Sequence, residues 1–231
     1  MTAVAGGVRT GQARRMHLRN GRHGYGVVTK VLHWSTVAAV LGQFVVGYGM
    51  DLDDVSDRRE DLLDAEEQRL EVEAEGRGEA AEEEAEAAIE RREEALDAQE
   101  DDQASEVFSD VVSGSAFADG LSLPELHICL GLLVLVLAAV RIGWRSTTPL
   151  PPWAGHLSAG ERRLEGALEK LLLASLVAVP ASGFLLVAAG EDWLPAHVTA
   201  QIVFLAAIAG HVGLVLTHTV LRRNRHLARM L

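Results

Sequence analysis

The sequence holds a single cysteine, Cys129, so an intramolecular disulfide, a CxxCH thioether attachment site and a cysteine-based metal cluster are all excluded. That cysteine falls inside an apolar run, where it reads as a small buried hydrophobe. Lysine occurs only at Lys30 and Lys170, so nearly all positive charge is carried by arginine. Residues 1–24 lack an apolar core followed by a cleavage site, and no cleavable signal peptide is expected from them. Acidic residues are abundant but show no EF-hand spacing, so the expectation for them is a solvated surface, not a calcium loop.

What is present is unevenly distributed. Residues 51–119 hold 27 Asp or Glu against 6 Lys or Arg, a formal balance of −21, whereas the rest of the chain carries +9. The sequence pI of about 5.2 therefore describes neither part. Nucleic acid is not an expected partner of such a chain.

Four apolar runs, residues 25–50, 120–145, 164–189 and 197–221, each come close to the roughly 20 residues that a membrane-crossing helix needs. The expected fold is all-α: an integral-membrane four-helix bundle with a helical, acidic extramembrane insert between the first and second spans. Residues 1–24 form a basic tail in which His17 and His23 are expected at the surface, as is His156 in the loop at 146–163. Within the insert, residues 57–74 and 79–100 are rich in strong helix formers, and GRG at 76–78 interrupts them once. A weakly packed helical hairpin and a solvated, partly disordered helix both fit this pattern. Pro124 suits a helix start, TTPLPPW at 147–153 ends the second span, and Pro180 is expected to kink the third. Glu169 and Lys170, near the start of the third span, are read as neutralising each other or sitting at the headgroups.

Arginines cluster in the tail at 1–24, in the loop at 146–163 and in the tail at 222–231, while the insert and the loop at 190–196 are acidic. The positive-inside rule then places both termini in the cytoplasm and the insert outside; the expected location is the cell's inner (plasma) membrane, crossed by all four spans.

Histidines lie inside these runs. His197, His211 and His218 are 14 and 7 residues apart in the fourth span. At about 100° per residue, a 14-residue step returns to within about 40° of its start and advances about 21 Å along the axis. His197 and His211 thus share a face near opposite sides of a bilayer core about 30 Å thick. Isolated imidazoles are costly in lipid, so they are expected to face the bundle interior and bind something there. With alternating spans, His33 matches the depth of His211, and His127 that of His197. Two imidazoles from two helices at one depth are what a bis-imidazole haem requires, and two such pairs suit two haems. His218 shares nearly the same face and stands as the alternative inner ligand, although its closeness to Arg222 points to the interface. Arg141 and Lys30 lie at the cytoplasmic end, either pairing with a haem propionate or serving as topogenic charges.

The motifs VLHW at 31–34, LHICLG at 126–131, VRIGWR at 140–145, VPASG at 179–183 and LARML at 227–231, with the pair His197 and His211, resemble the bacterial cytochrome b561 family. Their order and spacing carry the resemblance, which covers residues 25–50 and 120–231. It implies four-helix, di-haem b membrane proteins that exchange electrons with quinone, His33 and His211 holding one haem b and His127 and His197 the other. It also implies a possible oxidation of superoxide, against which the acidic insert counts by repelling an anion. Two features depart from the family pattern: the long insert, and Glu169 where a histidine is usual. Other readings are a cytochrome b subunit of a dehydrogenase or hydrogenase complex, with the insert docking a protein partner, and a non-redox scaffold with an acidic partner-binding arm.

Overall fold

The computed structural model describes residues 17–21, 24–52, 63–66, 68–70, 72, 77–153, 155, 157–222 and 230. His23, His156, most of the stretch 57–74 and most of the closing LARML lie outside them. The described chain is all-α, and four of its helices are long and apolar enough to cross a membrane.

Helix α1 is Val27–Leu52, α2 is Glu79–Ser113, α3 is Ala116–Asp119, α4 is Leu123–Thr147, α5 is Ala159–Ala189 and α6 is Leu194–Leu216. A 3-10 turn, Glu191–Trp193, joins α5 to α6, and a π turn, Thr217–Leu221, extends α6. Two of the long helices begin with the same local chemistry. Ser122 accepts from the Glu125 N–H while Glu125 accepts from the Ser122 N–H, and Ser158 and Glu161 repeat the arrangement on α5. Each reciprocal pair satisfies two of the N–H groups that a helix start leaves orphaned. The second pair makes α5 begin at Ala159, five residues before the apolar run would suggest.

The start of α1 is closed differently. The N–H groups of Val27 and Val28 donate to the carbonyls of His17 and Leu18, and Asn20 Oδ1 accepts from the Gly26 N–H and the Thr29 hydroxyl. Asn20 also donates to the Pro149 carbonyl beyond α4. The backbone at Leu18 passes so near Gly26 that a Cβ there would lie 2.4 Å from the Leu18 carbonyl oxygen, which only glycine permits. The described end of the basic tail is therefore folded onto the bundle, with His17 exposed.

Helix α1 packs along α4, α5 along α6, and α4 joins the two pairs through α5. Ala39, Val40, Val134, Ala138, Leu176 and Phe204 form the buried centre, and the alanines let the helices approach closely. Outward, Val31, Leu41, Val45, Tyr48, Val136, Ile202 and Val220 are 57% to 73% exposed. An apolar surface of that extent has lipid as its natural solvent. The last turns of α2 lean on α4 and α5, where Phe108 meets Phe184 edge-on at 5.9 Å and Val111 and Ala116 are buried. The rest of α2 is a mostly exposed acidic rod ending at Gly114, whose positive φ of 85° closes the helix as glycine readily does.

Candidate functional site

The intramembrane histidines fall into two layers. In the first, His33 of α1 lies within electrostatic reach of His211 of α6 and of Arg141 of α4. Glu169 of α5 lies within the same reach of His211 and Arg141, and it is ion-paired with Arg145. All four membrane helices thus meet there: two imidazoles, two guanidiniums and one carboxylate. Glu169 is held by Arg145 one helix away and not by Lys170, because adjacent helical residues point about 100° apart.

In the second layer, His127 of α4 lies within electrostatic reach of His197 of α6. The amide of Gln43, on α1, reaches His127 Nε2 at 2.8 Å. Its counterpart at His197 is Gln201, one turn along α6, at 2.7 Å from Nε2. The other ring nitrogen of His197, Nδ1, is 3.1 Å from the Val179 carbonyl and 3.1 Å from the Ser182 hydroxyl, both on α5. A carbonyl can only accept, so Nδ1 donates and Nε2 keeps its lone pair, as a metal-ligating histidine requires. Val179 and Ser182 of VPASG thus hold the His197 ring.

Glycines make room for these rings. A Cβ at Gly47 would lie 3.2 Å from His127 Cε1, and one at Gly183 would lie 3.1 Å from His197 Cε1. Between the layers Phe44 stacks on Phe204, with ring centroids 6.5 Å apart. Phe204 stands seven residues from His197 and seven from His211.

His218 is fully buried and faces Glu161 and Glu165 of α5. Cys129 is a free thiol of intermediate burial on α4. Trp34, exposed at the first layer's end of α1, donates from its ring nitrogen to the Met230 carbonyl at 3.2 Å. The sequence reading missed Gln43, Gln201, Gly47 and Gly183. Gln201 follows His197 at helical spacing and could have been found; the other three acquire meaning only once the helix pairing is known.

An interior lined by imidazoles within four apolar helices defines an integral-membrane bundle built to hold a group between its helices. Residues 24–231 match the family model described as prokaryotic cytochrome b561. The chain belongs to that family and is a membrane b-type cytochrome of electron transfer, which sets aside the redox-silent scaffold. Neither the comparison with curated proteins nor that with solved structures gives a match.

The family implies haem b, and the residues fit it. Four partly buried imidazoles would hold it by ring nitrogens, and the two glycines leave space beside two of the rings. His127 Nδ1 and Gln43 Oε1 are, among the described residues, buried without a hydrogen-bond partner, which marks this layer as incomplete by itself.

Proposed function

We propose that the chain carries electrons between a quinone and a second redox partner through two haems b, one held by His33 and His211 and the other by His127 and His197. The observation that supports this reading most is the grouping of four imidazoles from three helices into two layers, with His197 and His211 about 21 Å apart along α6. Bis-imidazole haem iron has both axial positions filled and moves single electrons.

The protein's own residues supply the rest. The Val179 carbonyl and Ser182 fix the His197 ring and its tautomer, and Gly183 admits it. Arg141, beside both imidazoles of the first layer, offers a cation to a propionate, while Glu169 and Arg145 set the local charge. The apolar centre around Phe44 and Phe204 keeps water out of the gap between the layers. By charge distribution the first layer lies on the cytoplasmic side, as do both termini, and α2 lies outside. Superoxide is the less favoured donor, because α2 carries the sign that repels it.

A pyridine haemochrome assay on the purified chain tests the proposal: two haems per chain and a low-spin b-type spectrum are expected, and one haem or none overturns it. A second reading, the cytochrome b subunit of a larger dehydrogenase or hydrogenase complex, draws on α2 as a docking arm and predicts a redox polypeptide that co-purifies.

A further inference from the structure

The strongly acidic insert closes on a stretch without charge. Between Asp110 and Asp119 it reads VVSGSAFA, which comprises the end of α2, the turn at Gly114 and the start of α3. Val111 and Ala116 are buried there, whereas Val112 and Phe117 turn outward, 66% and 64% exposed. Leu121, two residues before α4 begins, is exposed as well.

Neighbouring residues set the depth of this elbow. Phe108 meets Phe184, which lies five residues inside the end of α5, about 7.5 Å at 1.5 Å per residue. Val112 follows Phe108 by one turn of α2. A Cβ at Gly49 would lie 3.8 Å from Leu123 Cδ1, which puts the start of α4 level with the exposed Tyr48 at the end of α1. Trp193, also exposed, immediately precedes α6 at the same end of the bundle. Tyrosine and tryptophan concentrate at the boundary between membrane and water, so the elbow stands at that boundary.

Its polar groups find partners within it. The Ser115 hydroxyl donates to Asp110 Oδ1 at 2.8 Å and lies 2.9 Å from the Ser113 hydroxyl. The N–H groups of Gly114 and Phe117 donate to the carbonyls of Asp110 and Gly114 at 3.0 Å and 3.3 Å. Backbone and hydroxyl groups paired in this way can enter a region poor in water at small cost.

We propose that the elbow between α2 and α3 is an interfacial anchor, with Val112 and Phe117 seated among the headgroups and upper acyl chains of the leaflet on the second layer's side. The spans already present an apolar surface to lipid, and the elbow, packed on α4 and α5, continues that surface sideways. Lipid is therefore its occupant. Farther along α2 the exposed carboxylates of Glu90, Glu94, Asp102 and Glu106 belong in water, so the anchor holds only the foot of the arm.

The test uses the full, haem-loaded chain in phosphatidylcholine vesicles. A lipid-soluble carbene precursor, photolysed with the wild type, should leave adducts on residues 111–121 as on the four spans, and none on residues 79–106. Absence of adducts from 111–121 overturns the proposal. In a Cys129→Ala background, nitroxide labels at Val112→Cys and Phe117→Cys are then compared with labels at Val45→Cys, on the lipid-facing side of α1, and Ala95→Cys, on the rod. The ratio of collisions with oxygen to collisions with a water-soluble nickel chelate should be about tenfold higher at 112 and 117 than at 95, and close to that at 45. Nickel reaching 112 and 117 as freely as 95 places the elbow in water and overturns the anchor. Exclusion of both reagents means that protein, such as a second copy of the chain, covers the patch, and overturns it equally. Should a labelled variant lose its haem spectrum, the carbene map of the wild type decides alone.

Discussion

Phe44 and Phe204 stack at 6.5 Å, joining α1 to α6 at the residue midway between His197 and His211. Their helices do not otherwise pack closely along each other among the described residues, so this pair closes the gap between the layers. Phe204→Ala should cost about 3–5 kcal/mol, as large-to-small changes at buried aromatics do. Thermal unfolding followed by circular dichroism should show the loss, and Phe204→Leu should recover most of it.

The layers should empty independently. His211→Ala should leave one haem per chain by pyridine haemochrome, and His127→Ala likewise, whereas His218→Ala should leave two. A His218→Ala protein with one haem would make His218 the ligand in place of His211.

Gly183 and Gly47 make a finer test of the second layer. Gly183→Ala places a Cβ 3.1 Å from His197 Cε1, closer than real Cβ contacts usually come, so the ring must shift. Potentiometric titration should show one of two haem components displaced or diminished and the other unchanged. Gly47→Ala should do the same through His127.

Charge beside the first layer should tune potential with a predictable sign. Glu169→Gln removes the carboxylate that faces Arg141, Arg145 and His211, leaving net positive charge where an electron is to be held. The midpoint potential of one haem should rise by about 40 mV, equivalent to about 1 kcal/mol for one electron. Arg141→Gln should lower it. Matching shifts in both haems would contradict the assignment of these charges to one layer.

The four spans were legible because length and hydropathy suffice in lipid, where backbone groups leave little choice but helix. Pairing His33 with His211 and His127 with His197 followed from depth and topology, and these are the pairs that the bundle brings into electrostatic reach. Lateral relationships were harder to read. Adjacency in sequence offers Glu169 either neutralisation by Lys170 or a place at the headgroups, and the ion pair it makes is with Arg145 on another helix. The early start of α5 is written in Ser158 and Glu161 at capping-box spacing, which lie ahead of the first apolar residues of the span. His218 lies in a π turn, a backbone choice that no periodicity of side chains announces.

The contact of Phe108 with Phe184 ties the acidic rod to the peptide unit next to Gly183, and so to the floor on which the His197 ring rests. From Phe108 back to Glu79 the rod is about 44 Å long at 1.5 Å per residue. A rod of that length has the proportions of a lever: a sideways force on its far tip would reach the Phe108–Phe184 contact as a torque, one residue from the glycine beside the His197 ring.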